Sequence, residues 1–201
     1  MKPLLSIILA IGALFCLTKI PAARANGAPQ LALKQDFERI DSVAAWRNQT
    51  PSTSALNLDT APHQSHSGTG ALRYQISAKS DKEIYIYSGV KLPADQNSNG
   101  RMVRIRFYAR TAPAAETVFA FRVLERNEKS TTSWLESKTD AIKITPSADW
   151  KECSIIGKLA DGTRGLTIYL VARNPQPGQT IWLDDLSVEI ISNPRSVLLH
   201  K

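Results

Sequence analysis

Residues 180–190 read TIWLDDLSVEI. The stretch is rich in β-branched and large apolar residues and follows the turn-forming NPQPG at 174–178. It alternates as a half-buried strand does, so it reads as a strand. Two adjacent carboxylates, Asp184 and Asp185, stand in its middle. Successive strand side chains point to opposite faces. Parity places Asp184 on the side of Trp182, Leu186, Val188 and Ile190, and Asp185 with Leu183, Ser187 and Glu189. A buried carboxylate without partners is costly. Asp184 is therefore expected to need a cation, an arginine or several loop amides.

Outward from this stretch the pattern repeats. Candidate strands cover 31–38, 54–59, 71–77, 83–92, 101–110, 117–125, 133–144, 150–157 and 164–172. Turn-rich separators divide them: HSGTG, PADQNSNG, TAPAAE, RNEKS, TPSAD and ADGTRG. No segment carries a sustained helical period, although Asp41 to Arg47 could form one helical turn. In 101–110, Val103, Ile105, Phe107 and Ala109 oppose Arg104, Arg106, Tyr108 and Arg110. Such alternation implies one buried and one solvated face, so the chain is expected to be an all-β, two-sheet antiparallel β-sandwich.

The first 25 residues read as an export signal. Lys2 begins it, an apolar run spans Leu4 to Leu17, and Ala23-Arg24-Ala25 offers a cleavage pattern. The run is short for a membrane span. Cleavage near Ala25 would send the chain to the periplasm or the extracellular space. Residues 26–30 read as a loose lead, 31–191 as the folded module and 192–201 as a flexible tail.

The full chain of 201 residues carries a formal net charge of +7, which falls to about +4 without the leader. No run of Lys or Arg is present, so nucleic acid is not an expected partner. Cys16 leaves with the leader and Cys153 remains alone, which permits no internal disulfide. Cys153 reads as a small buried strand residue.

Several motifs recur in a characteristic order. Asp36-Phe37-Glu38 comes first, then Trp46, then HSGTGAL at 66–72. Phe107-Tyr108-Ala109-Arg110, Asp149-Trp150 and WLDDLSV at 182–188 follow. This order resembles the jelly-roll carbohydrate-binding modules of the family four, nine and twenty-two type, within the galactose-binding-like sandwiches. The resemblance spans roughly residues 31–191. It implies a jelly roll that binds a polysaccharide or oligosaccharide without cleaving it, often with a structural calcium ion. Many relatives are appended to glycoside hydrolases, whereas this sequence offers no catalytic domain beside the module. Others of the fold serve adhesion or assembly, so an envelope protein partner is the alternative to a sugar.

The resemblance also implies a calcium set of Glu38 and Asp184, with Asp36 as a possible third ligand and HSGTG supplying carbonyls. Calcium takes six to eight oxygens, so backbone and water would complete it. The expected connectivity puts 71–77, 180–190, 101–110 and 150–157 in one sheet. It puts 83–92, 164–172, 117–125 and 133–144 in the other.

On the first sheet's outer face, Asp185 and Glu189 are expected to meet Arg104, Arg106 and Arg73 as solvated ion pairs. On the second, Tyr85, Tyr87, Tyr169, Arg122 and Trp134 would gather. Aromatic rings stack on sugar C–H faces and neighbouring polar groups fix hydroxyls, so these five are the expected ligand-binding residues. Trp46, Trp150 and Trp182 read as core or edge-sealing residues, and His63 and His66 as members of a solvated loop. No nucleophile elbow, zinc-binding motif or phosphate loop is present. A small hydrolase or lyase using paired carboxylates is the least favoured reading.

Overall fold

The computed structural model describes residues 29–93, 101–112, 117–127, 132–134 and 142–191. The leader, most of the lead and the tail lie outside the described residues. So do the side chains of Thr132, Ser133, Trp134 and Ile142.

Among the described residues, twelve strands and one short helix follow in chain order. They are β1 (Gln30–Gln35), α1 (Ile40–Ala44), β2 (Trp46–Asn48), β3 (Ser54–Asp59), β4 (Ala71–Ile76) and β5 (Ile84–Lys91). Then come β6 (Met102–Thr111), β7 (Val118–Asn127), β8 (Thr132–Trp134), β9 (Ile142–Lys143), β10 (Lys151–Lys158), β11 (Thr163–Arg173) and β12 (Thr180–Ile191). The single helical turn begins one residue before its expected start, and the chain extends again at Trp46.

Two antiparallel sheets result. The first runs β10-β6-β12-β4-β3, with β1 also paired to β12; the second runs β2-β5-β11-β7-β8, with β9 also paired to β7. The eight expected strands divide between the sheets as connectivity implied. Only the span 133–144 differs, because β8 and β9 each pair with a separate stretch of β7.

The alternation of β6 holds: Val103, Ile105, Phe107 and Ala109 are fully buried. Ile84, Ile86 and Val90 of β5 and Leu166, Ile168, Leu170 and Ala172 of β11 meet them from the second sheet in one core. Phe107 stacks on Phe121 at 4.2 Å between ring centroids, which joins β6 to β7 across the sandwich. Burying an aromatic or branched side chain of this kind contributes about 1.5–3 kcal/mol each. Cys153 is half-buried on β10, and burial, with Glu152 beside it, raises its thiol pKa.

The face assignment of β12 needs correction. Its core residues are Ile181 and Leu183 before the aspartates, and Leu186, Val188 and Ile190 after them. The inward phase changes from odd to even numbers. A β-bulge causes the change: the register against β6 shifts between Asp184 and Ser187, and Asp185 adopts a left-handed φ of 49°. With one extra residue inserted, Trp182 and Leu186 no longer share a face. Trp182 lies on the outer side, where its ring is 4.6 Å from the Arg110 guanidinium carbon and its Nε1 donates to Asp59 at 2.8 Å.

Candidate functional site

The bulge stands where β12 changes neighbours. Thr180 to Leu183 pair with β4, and Leu186 to Ile190 pair with β1. The HSGTG loop at 66–70 leads into β4 and closes this seam. Asp184 is completely buried, and its Oδ2 accepts the backbone N–H of His66 at 2.8 Å and of Ser67 at 3.0 Å. Its Oδ1 accepts the N–H of Asp185 at 2.7 Å.

Asp185 reaches the same loop. Its Oδ1 accepts the Ser67 hydroxyl at 2.8 Å, and its Oδ2 pairs with His66 Nδ1 at 2.7 Å. Both aspartates thus serve one loop from one side, and Asp185 does not join the arginines of β6. Glu189 does, with Arg104 at 2.5 Å and Arg106 at 3.6 Å. Arg73 donates to Gln75 instead. Desolvation raises the Asp184 pKa to about 6, although the three backbone N–H groups act against that rise.

Glu38 grips the other end of the loop. Both its carboxylate oxygens accept the Thr69 N–H at 3.0 Å, and Oε2 accepts the Thr69 hydroxyl at 2.7 Å. The fit requires glycine at 68. A Cβ there would sit 1.9 Å from Glu38 Oε1, and the backbone has φ +57°.

Asp36 accepts only the Glu38 N–H, at a long 3.4 Å. These residues do not fit a calcium cage as they stand. The loop turns backbone N–H groups toward Asp184 and Glu38, and these occupy the carboxylate oxygens that calcium would need. Among the described residues, no three His, Cys, Asp or Glu side chains gather to hold a metal.

His66 is an exposed loop residue, as expected, but its ring also packs down on the sheet. Its ring stacks on Tyr108 at 3.5 Å and meets the edge of Trp150 at 5.9 Å. Arg110 lies against both Trp150 and Trp182 and donates to Gln64. Trp150 and Trp182 therefore seal a loop onto the outer face of the first sheet, whereas Trp46 is in the core and donates to Gln35.

The outer face of the second sheet is open. Cross-strand pairing sets Arg47, Tyr87, Tyr169 and Arg122 in one row across β2, β5, β11 and β7. Tyr85, on the same face, lies 5.5 Å from Tyr169, edge to face, and Tyr87 stacks on Tyr169 at 5.7 Å. All three tyrosines are half-exposed. Desolvation and the neighbouring tyrosines raise the Tyr169 pKa, while Arg126 opposes this.

Arg122 is committed to a partner: its two terminal nitrogens donate to both oxygens of Glu83, each at 2.9 Å, and Arg173 joins the same carboxylate at 2.7 Å. Trp134 pairs opposite Leu124 at the sheet edge, and its side chain lies outside the described residues.

Beyond Tyr87 the face sinks into a cleft of about 690 Å³ that sequence reading did not find. Its floor includes Gly89, Gly165 and Thr167, and its sides include Arg47, Tyr87, Lys91, Arg126 and Arg164. The signal in the sequence is the pair of small strand residues. Gly89 and Gly165 lack side chains where Tyr87 and Lys91 project on the same strand face.

No known family's sequence profile matches the chain, and no curated protein matches it. Solved structures do resemble it. A xylan-binding domain of carbohydrate-binding family 22 from Paenibacillus barcinonensis is 14% identical, with a TM-score of 0.58 over 82% of this chain and 96% of that one. The C-terminal family 22 carbohydrate-binding module of a Clostridium thermocellum protein is also 14% identical, with a TM-score of 0.56 over 83% and 94%. An enzymatically active domain of a bacteriophage CBA120 tailspike is 9% identical, with a TM-score of 0.57 over 80% of this chain and 21% of that one. The chain has the two-sheet jelly-roll fold of carbohydrate-binding modules.

Proposed function

We propose that this is an exported, non-catalytic carbohydrate-binding protein that holds a polysaccharide or oligosaccharide on the outer face of its second sheet. The observation that carries the reading is the half-exposed platform of Tyr85, Tyr87 and Tyr169 at the rim of an open cleft. Tyrosine offers an apolar ring for a sugar C–H face and a hydroxyl for its polar edge. An aromatic wall beside a few placed polar groups is the usual composition of a ligand site.

The fold shared with xylan-binding domains supports the choice of ligand class. Export follows from the leader, and the mass of the secreted protein would test it by showing a chain that begins at Asn26. Arg122 plays a supporting part in this reading: with Arg173 it holds Glu83 in place instead of meeting ligand directly.

The test is retention on a glycan array by the wild type and by the Tyr87→Ala/Tyr169→Ala double variant. The reading expects retention by the wild type and loss of at least about tenfold in affinity in the variant, about 1.4 kcal/mol. Undiminished binding by a folded double variant would move the site off this face.

A further inference from the structure

The cleft beside the tyrosines has an uneven charge. Arg47, Lys91, Arg126 and Arg164 all line it and all are exposed, while none of its described lining residues is acidic. They arrive there from four different parts of the fold. Arg47 is on β2, Lys91 ends β5, Arg126 lies near the end of β7 and Arg164 is near the start of β11. Pairing sets Gly165 between Lys91 and Arg126, so the two cations flank a position that has no side chain.

Two described acids of this sheet are engaged elsewhere. Glu125 is buried and accepts the Ala160 N–H at 2.9 Å and the Thr163 hydroxyl at 2.6 Å. Glu83 is at the far end of the face, between Arg122 and Arg173. Arg126 lines the cleft and is held in place by its Nε bond to Thr167 at 2.6 Å. Like charges around a concavity repel one another and raise the local potential, an arrangement that an anion relieves. Guanidinium groups suit carboxylate and sulfate oxygens because they donate in a planar fork.

We infer that the cleft selects an anionic glycan, with acidic groups on its sugar rings meeting Arg47, Lys91 and Arg126 while a ring rests against Tyr87. This deepens the sugar-binding reading and rests on it. A glycan is favoured over nucleic acid because the cations border a single cleft with one aromatic wall, instead of tracking along a backbone with successive stacking platforms.

Gly89 provides a clean test. A Cβ at this position meets nothing within 4 Å, and its backbone does not need glycine. Gly89→Glu would place a carboxylate among the cations, and Gly89→Gln is its neutral match in size. Calorimetric titrations at about 0.15 M salt, where long-range attraction is screened, would compare four ligands. These are polygalacturonate for carboxylates, carrageenan for sulfates, unsubstituted xylan as the neutral polymer, and a single-stranded oligonucleotide as a non-sugar polyanion.

The inference expects at least one acidic polymer to bind more tightly than xylan and the oligonucleotide. It further expects Gly89→Glu to weaken that binding at least about tenfold more than Gly89→Gln does. Whichever acidic polymer binds identifies the group. Equal or tighter binding of xylan, with the two variants alike, would overturn the charge selection and leave the sugar site standing. Binding of no polysaccharide would overturn both readings. Oligonucleotide binding that matches the acidic polymers and responds equally to Gly89→Glu would overturn the glycan assignment.

Discussion

The two outer faces of the sandwich are built from the same kinds of residue and end differently. Each sets arginines beside aromatic rings. On the first sheet, Tyr108, Trp150, Trp182 and Arg110 are occupied by the chain itself: His66 covers Tyr108, Gln64 takes Arg110, and Asp59 takes the Trp182 N–H. On the second sheet the tyrosines touch mainly one another, and the cleft beside them is open. An aromatic-cationic surface is a site only where no loop lies on it. The HSGTG loop decides which face is which, and Asp184, Asp185 and Glu38 hold that loop down.

Breaking the anchor should therefore give the largest effect. Asp184→Ala leaves three part-buried amides without an acceptor and empties a fully buried position, so a loss of about 3 kcal/mol is expected, or roughly 10 °C in Tm. Asp185→Ala removes bonds that are exposed and should cost no more than about 1 kcal/mol. Thermal melts of the two variants would check this ranking. Equal losses would mean that the bulge, and not the buried carboxylate, secures the loop.

The pH dependence follows from the same carboxylate. The folded pKa of Asp184, about 6, lies above its unfolded value of 3.8. Between these values the folded state binds more protons than the unfolded state. This contribution to stability is therefore greatest below about pH 4, falls as pH rises to about 6, and is flat above. Asp184→Asn should remove that component, which the difference between wild-type and variant Tm at pH 5 and pH 7.5 would reveal. A difference independent of pH would contradict the raised pKa.

The smallest expected effect is none. Addition of calcium or of a chelator should leave Tm unchanged, because the loop presents N–H and hydroxyl donors to Glu38 and Asp184. A chelator-sensitive Tm would show that the seam rearranges around a cation.

Much of this contrast was legible in the sequence, and its limits have a physical cause. Alternation in β6 named its core residues correctly, and connectivity sorted the eight main strands into sheets. Parity failed at Asp184, because alternation carries face information only while each residue advances the strand by one position. A bulge breaks that count. The sign of it was present: apolar residues stand at 181 and 183, then at 186, 188 and 190. Trp182, an aromatic on the even phase, masked the change.

The tyrosine platform was legible because cross-strand neighbours follow from register. The cleft was not. Its two glycines, Gly89 and Gly165, stand in separate strands and its cations come from four, so they meet only once the sheet has paired.

The central claim is that the second sheet is the ligand face and the first is not. Its most direct test compares Tyr87→Ala with Tyr108→Ala in polysaccharide binding, with each variant first shown to be folded. The account predicts that Tyr87→Ala loses binding, while Tyr108→Ala, which strips a ring already covered by His66, keeps wild-type affinity. Lost binding in Tyr108→Ala with full binding in Tyr87→Ala would contradict it.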